Sequence, residues 1–350
     1  MSGRAGDLTV QSLSDSDAGQ WDAFVNAHPE ATFFHRAGWK RVIEETYGHR
    51  AHFTYAVQDG EVRGVLPLVH VKNMMFGNRL VSTPFCMQGG PVVKNEAARK
   101  ALNEHAAGLA AELNVDFIEY RSEKHSNADW ACKGDLYYIF RRSIDTDLDA
   151  NLKAIPRKQR AVVRKAIKAE DLRDEIDEKA DRFYQIYSTS VRNLGTPVFP
   201  KRYCDSLKAT FGDDCEYLTI VDGNGVPVSS VLQFYFRDQV LPYYGGGLPE
   251  ARNSGAYSFM YWRSTCRAAD RGMRIFDFGR SKKDTGAFAF KKNWGFDPQP
   301  LEYEYWLKDG VPMPDVNPLN PKYHLMVNTW KKLPVPLANL VGPRIFGAIG

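Results

Sequence analysis

The residues best suited to chemistry lie in one dense stretch near the C-terminal end, "FDFGRSKKDTGAFAFKKNWGF" (276–296). It holds five Phe, one Trp, four Lys and three Gly in 21 residues. A core strand does not need the lysines, and a surface loop does not need the aromatics. The stretch predicts a strand "IFDFG", a loop "RSKKDTGAFA" and then "FKKNWGF". A loop leaving a strand end carries function more often than the strand does. Lys291 follows Phe290 and precedes Trp294-Gly295. An ammonium held in an aromatic sleeve keeps its charge and can stabilise the oxyanion of an acyl transfer. The alternative is that Phe288, Phe290, Trp294 and Phe296 are core and the lysines only snorkel.

Two further stretches suit an anion. "GGGLPEARNSGAY" (245–257) places glycines and backbone amides before a helix start. Its Arg252 and Gly255 match the first two anchors of the diphosphate loop of acetyl-CoA-binding domains, whereas Tyr257 fails the third. "KAIPRKQRAVVRKAIK" (153–168) has seven basic residues and no acid. On a helical period Arg157, Arg160, Arg164 and Lys168 form one stripe, opposite Val163, Ala166 and Ile167. Stacked cations repel one another, so an anionic partner is favoured over a plain solvated face. There is no G-x-S-x-G, H-E-x-x-H or Walker A pattern, and no metal set is suggested.

The elements that must position these residues occur twice. Residues 52–69 and 216–236 each read as a hairpin, turning at Asp59-Gly60 and Asp222-Gly223. A strand ending in glycines follows each: "LVSTPFCMQGG" (80–90) and "QVLPYYGGG" (239–247). Then come helices 95–113 and 256–272, and strands "DFIEYR" (116–121) and "RIFDFGR" (274–280). The two turn aspartates are 163 residues apart, and Glu119 and Asp277 are 158 apart. Two helices precede each hairpin. This order describes an α+β chain of two tandem GNAT-like (N-acetyltransferase-like) domains with mostly antiparallel mixed sheets and helices on their faces. The domains are expected at 1–148 and 149–310. A Pro-rich basic and apolar tail, 311–350, follows.

The chain has 350 residues, a formal net charge of +4 and 25% charged residues, an ordinary globular balance. Its five Cys include no C-x-x-C pair, which fits a reducing cytoplasm. No signal-peptide pattern opens the sequence, and no apolar run spans a membrane. The tail sets Trp330, Leu333, Leu337 and Leu340 among Lys331, Lys332 and Arg344. It suits either docking on the protein or peripheral contact with an anionic bilayer.

The opening stretch, the basic stretch, "SVRNLGTPVF" (190–199), "STPFCMQGG" (82–90), and "NPLNPKY" and "WKKLPVPLANLVGP" in the tail resemble FemAB-type proteins. These are the ones associated with exosortase/PEP-CTERM and exopolysaccharide systems. The resemblance runs over nearly the whole chain and implies two GNAT-like domains. Fem relatives are peptidyltransferases that move an amino acid from aminoacyl-tRNA onto the amine of a peptidoglycan precursor. Their F-K-x-x-[F/W]-G element falls on Phe290 to Gly295, which implies that Lys291 stabilises charge in the transfer. No long inserted coiled-coil arm is seen here.

The expected enzyme is thus a cytoplasmic acyl- or aminoacyltransferase, either free or peripheral at the inner face of the membrane. It would act on a lipid- or nucleotide-linked envelope or exopolysaccharide precursor, with aminoacyl-tRNA or acyl-CoA as donor and no tightly bound cofactor. Lys291 is the catalytic candidate and Asp277 the candidate base. Arg157, Arg160, Arg164, Arg192, Tyr244, Gly245, Gly246, Arg280, Ser281, Lys282 and Trp294 are the candidate substrate contacts. A non-catalytic RNA- or membrane-binding module is the rival class.

Overall fold

A computed structural model of the chain describes residues 7–73, 77–314 and 324–350. The "NPLNPKY" stretch lies outside the described residues. The chain forms two compact units, Met1–Leu136 with Pro300–Asp315 and Ala348–Gly350, and Tyr137–Gln299 with Val316–Gly347.

The first unit runs β1 (Thr9–Ser12), α1 (Ala18–Ala27), α2 (Gly38–Tyr47), β2 (Arg50–Gln58), β3 (Glu61–Asn73), β4 (Gly77–Ser82), β5 (Val92–Val93), α3 (Glu96–Glu112), β6 (Phe117–Tyr120) and the start of β7 (Ala131–Ser143). The β2–β3 hairpin closes through Asp59 and Gly60, both at positive φ. That is the geometry an Asp-Gly pair supplies in a tight hairpin turn. β4 pairs antiparallel with β3 and parallel with β6. Leu66, Leu68, Leu80 and Ile118 from this sheet pack against Ala98, Leu102 and Ala106 of α3.

The second unit repeats the plan. It contains α4 (Leu148–Ala154), α5 (Arg157–Ala169), β8 (Arg173–Asp177), α6 (Asp181–Leu194), α7 (Lys201–Phe211), β9 (Cys215–Val221) and β10 (Pro227–Phe236). Next come β11 (Gln239–Gly247), α8 (Glu250–Ser254), α9 (Ala256–Asp270), β12 (Ile275–Lys282) and α10 (Gly286–Asn293). β13 (Pro298–Leu307), α11 (His324–Trp330) and α12 (Val335–Ile349) end the chain. The second hairpin needs a longer turn than Asp222-Gly223 suggests. Asp222 Oδ1 accepts from the amides of Asn224 and Val226, and Gly225, not Gly223, takes the positive φ. β11 pairs antiparallel with β10 and parallel with β12. α9 is buried along most of its length, from Ala256 to Ala269.

The bounds differ from a simple division at 148 and 310, because each unit takes a strand from the other half of the sequence. β13 pairs with β6, from Glu304 against Tyr120 to Leu307 against Phe117, and so belongs to the first unit. The second part of β7 pairs with β12, from Tyr137 against Lys282 to Ser143 against Ile275, and belongs to the second. Most of the tail docks on the second unit. Trp330 and Ala338 are buried, Phe346 meets Phe199 edge-on, and a Cβ on Gly342 would touch the Val198 backbone.

Candidate functional site

The second unit opens where two parallel strands part. β11 and β12 pair only at Gln239 with Ile275 and Val240 with Phe276. Past that point β11 shifts register against β10 between Leu232 and Gln233, and β12 shifts against β7 between Asp277 and Arg280. Bulges of this kind bend a strand and re-aim its side chains. The opening holds a pocket of about 570 Å³ lined by Pro242 to Gly245 and Gly247 of β11 and by Phe278, Arg280 and Ser281 of β12. The end of α6 closes one side, and Tyr257 and Tyr261 of α9 another. Phe290 and Lys291 of α10 complete it.

Glycine at 245 and 246 is a packing requirement. A Cβ on Gly245 would collide with the Tyr261 hydroxyl, and one on Gly246 would sit 2.9 Å from the Tyr187 Cα. The backbone of α6 and the Tyr261 side chain of α9 therefore lie directly on the strand. The Tyr257 and Tyr261 hydroxyls are 3.2 Å apart, and burial raises the pKa of both. They remain neutral hydroxyls that can donate or accept.

The stretch read as the loop "RSKKDTGAFA" is different in the structure. β12 continues to Lys282, and Thr285 caps α10 by accepting from the Phe288 amide at 3.3 Å. The helix carries Lys291 inward. Its Nζ donates to the carbonyls of Gly279 (3.0 Å) and Arg280 (2.9 Å), and it lies 5.4 Å from the Phe140 ring centre and 5.6 Å from that of Phe278. Burial lowers its pKa to about 7, with Arg280 pushing the same way and Asp277 opposing. Lys292, one residue on, is exposed and lies 6.0 Å over Phe288.

Asp277, the candidate base, is not among the residues that line the pocket. Its Oδ2 accepts from Arg141 Nε at 2.7 Å and its Oδ1 from the Gly279 amide at 2.8 Å. Gly279 stands at φ +69°. Asp277 thus shapes the bulge whose carbonyls hold Lys291. Trp294 is also outside the pocket. It is buried in the core beside Phe278 and Phe290. Gly295, at φ +81°, passes so close to Pro156 that a Cβ would lie 2.9 Å from the proline ring. The Phe-Lys half of the element faces the pocket, and the Trp-Gly half locks α10 to the start of the basic helix.

Of the other candidates, Tyr244, Gly245, Arg280 and Ser281 line the pocket, and Gly246, Lys282 and Arg192 do not. Lys282 lies 5.3 Å over Tyr137, and Arg192 donates to the Lys331 carbonyl at 3.1 Å, while its neighbours Val191 and Asn193 line the pocket. Arg157, Arg160 and Arg164 are also outside it. α5 buries Val163 and Ala166 and turns Arg157 and Arg164 to the surface, while Arg160 donates to the Lys153 carbonyl at 3.0 Å. Ile167, expected on the apolar side, is exposed. Tyr187 and Tyr261 of the lining were not singled out from sequence. Aromatics on helices look the same there whether they face a core or a pocket. Among the described residues no group of His, Cys, Asp or Glu is arranged to hold a metal, and no helix is long and apolar enough to cross a membrane.

Residues 157–292 match the family model of the Acetyltransferase (GNAT) domain. The match begins at the first residue of α5 and ends one residue past Lys291. No curated protein matches the chain. Among solved structures, FemX superposes with a TM-score of 0.68 at 17% identity, covering 85% of this chain and 96% of FemX. L-PGS from Bacillus licheniformis gives 0.56 at 12% identity over 96% of this chain and 98% of its own. A tandem GNAT protein from the clavulanic acid biosynthesis pathway gives 0.54 at 14% identity, over 88% and 100%. The fold is therefore the tandem GNAT-like α+β fold, with a second domain of the acyltransferase type.

Proposed function

We propose that the protein transfers an aminoacyl group from aminoacyl-tRNA to the amine of a lipid- or nucleotide-linked precursor of the cell envelope or its exopolysaccharide. One observation carries this reading. The pocket is lined by the basic residues Arg252, Arg280 and Lys291 and, among the described residues, by no Asp, Glu or His. Aminolysis of an ester creates an oxyanion, and fixed donors aimed at developing charge are the main source of such catalysis. Lys291, tethered through two of its three N–H groups, keeps one for that oxygen. The same cations disfavour a charged ammonium beside them. An acceptor amine therefore enters as the neutral nucleophile that the reaction needs, without a carboxylate base. The exposed Arg157 and Arg164 of α5, with Arg160 beside them, supply a phosphate-binding surface outside the pocket for the donor.

The likeness to FemX supports the donor class, and the match to an acetyltransferase domain favours acyl-CoA as the second reading. Incubation with tRNA charged with radiolabelled amino acids, and separately with acyl-CoA, against nucleotide- and lipid-linked precursors decides between them. Label passing only from acyl-CoA overturns the tRNA donor. Binding of RNA without transfer from either donor leaves a non-catalytic module.

The tail supports work at the cytoplasmic membrane surface. Leu337, Leu340, Val341 and Arg344 recur on one face of α12 and are exposed, Leu340 to 71%. Leu194, on the pocket rim, is 64% exposed. Apolar residues beside cations suit an anionic bilayer. Leu340→Glu should leave folding unchanged and abolish binding to anionic vesicles. Unchanged vesicle binding removes this part of the reading.

A further inference from the structure

We infer that Phe346, in the tail, is a positioning residue for the acceptor, acting through Phe199 on the pocket wall made by Tyr187 and Tyr244. This rests on the acyl-transfer reading above and goes beyond it. The acetyltransferase match ends at 292, so this wall is backed by a part of the chain outside the matched domain.

Phe199 is fully buried and is the hub of the wall. Its ring centre lies 5.1 Å from that of Tyr187, stacked, and 4.8 Å from that of Tyr244, tilted. Both tyrosines line the pocket, and their own ring centres are 5.5 Å apart. Phe199 and Phe346 stand behind them and do not line it. Phe346 meets Phe199 at 5.5 Å with the ring planes 83° apart. The order from the tail inward is therefore Phe346, Phe199, then the two tyrosines. Interiors are packed without voids, and a ring removed leaves a cavity that its neighbours partly fill. Without Phe346, Phe199 can shift outward, and the tyrosines that rest on it lose their backing. α12 is held where it makes this contact. Ala338, Gly342 and Phe346 recur every four residues along one stripe. Asn339 Nδ2 donates to Ser188 Oγ at 3.3 Å, and a Cβ on Gly342 would lie 3.0 Å from the Val198 backbone.

Which substrate the wall serves follows from the strand between the helices. Successive residues of a strand face opposite sides of its sheet. Gly245 meets Tyr261 of α9, and Gly246 meets Tyr187 of α6. α5, the proposed donor surface, packs on the α9 side. Gln159 Nε2 donates to Ser258 Oγ at 2.6 Å, and a Cβ on Gly255 would lie 3.4 Å from Val162. α6 and the tail lie on the other side, so the wall they build is left to the acceptor. Tyr187 and Tyr244 both carry hydroxyls that can hydrogen-bond an amine.

Steady-state kinetics of the full chain test this. Phe346→Ala should raise the KM of the acceptor about 10-fold and leave kcat and the donor KM within about twofold, the pattern of lost uniform binding. Phe346→Leu keeps much of the apolar volume and should raise the acceptor KM about threefold. Should Phe346→Ala not fold, Phe346→Leu is read in the same way. Leu172→Ala truncates a core residue of the same unit that does not line the pocket, and should change neither KM. An acceptor KM within about twofold of wild type overturns the inference. So does a rise in the donor KM instead, or a rise that Leu172→Ala shares, because the effect is then one of general stability. A wild type that transfers from no donor defeats the acyl-transfer reading. Crystal structures of wild type and Phe346→Ala then decide whether Phe346 positions the wall. Displacement of Tyr187 and Tyr244 from their 5.5 Å arrangement supports it, and unmoved rings overturn it.

Discussion

The two units share one plan, and their clefts have opposite fates. In each, a strand (β4, β11) runs parallel to a strand (β6, β12) bearing an acid that an Arg follows. In the first unit the space past this pairing is filled by the chain itself. Residues 81–90 are buried without exception. Arg121 gathers them, donating from Nη1 to the Cys86 carbonyl and from Nε to Glu119, while its own carbonyl accepts from the amides of Gly89 and Gly90. In the second unit the corresponding Arg280 lines an open pocket, and its strand acid, Asp277, is neutralised by Arg141 from β7. The strand acid is ion-paired with an Arg in both units. The difference lies in which Arg answers it. Where the strand's own Arg does so, the cleft is sealed. Where another strand supplies the cation, the strand's Arg faces the pocket.

The largest effect should come from breaking these ion pairs. Asp277→Ala leaves the Arg141 charge partly buried without its partner and should cost about 3–5 kcal/mol. Arg121→Ala should cost a similar amount in the first unit by orphaning buried Glu119, with transfer by the folded fraction unchanged. Urea unfolding measures both. If Asp277→Ala is as stable as wild type and only inactive, Asp277 is a base after all and the parallel fails.

Next in size is the residue with no counterpart in the sealed cleft. Lys291→Ala should reduce kcat about 10²–10³-fold with substrate affinity little changed. Lys292→Ala should be mild. Single-turnover rates at matched foldedness compare them, and equal small losses would make the whole stretch packing.

The depressed pKa of Lys291 adds a pH signature. Its pKa is about 7 in the folded chain against 10.5 for an ordinary lysine, so the unfolded chain holds the proton through that window. Stability linked to Lys291 therefore rises from about pH 7 to 10.5 and is at its lowest below pH 7. Relative to Lys291→Met, the wild type should gain a few kcal/mol across that range. If the ammonium is the active form, kcat should instead fall as pH rises through about 7. A rising limb would make Lys291 a base.

The smallest effect on folding belongs to the basic helix. Exchanging Arg157, Arg160 and Arg164 for Glu should change stability by less than about 0.5 kcal/mol per exposed site. It should weaken RNA binding and flatten its dependence on salt. A sharp fall in melting temperature with unchanged RNA affinity would make α5 a structural element only.

How much of this was legible from sequence depends on the range of the interaction involved. The doubled order of helices, hairpin, strand, helix and strand could be read because alternation and Asp-Gly turns are local signals. Lys291, Arg280, Ser281 and Tyr244 could be picked out because unusual residue types crowd together in the chain. The tertiary structure alone decided which cleft is open. That follows from long-range pairing, with β13 completing the first sheet and β7 bringing Arg141 to Asp277 from 136 residues away. Whether Trp294 and Arg192 face the pocket or its scaffold was likewise undecided by their neighbours in sequence. A ring or guanidinium has the same local propensity in either place, and only the elements packed against it choose.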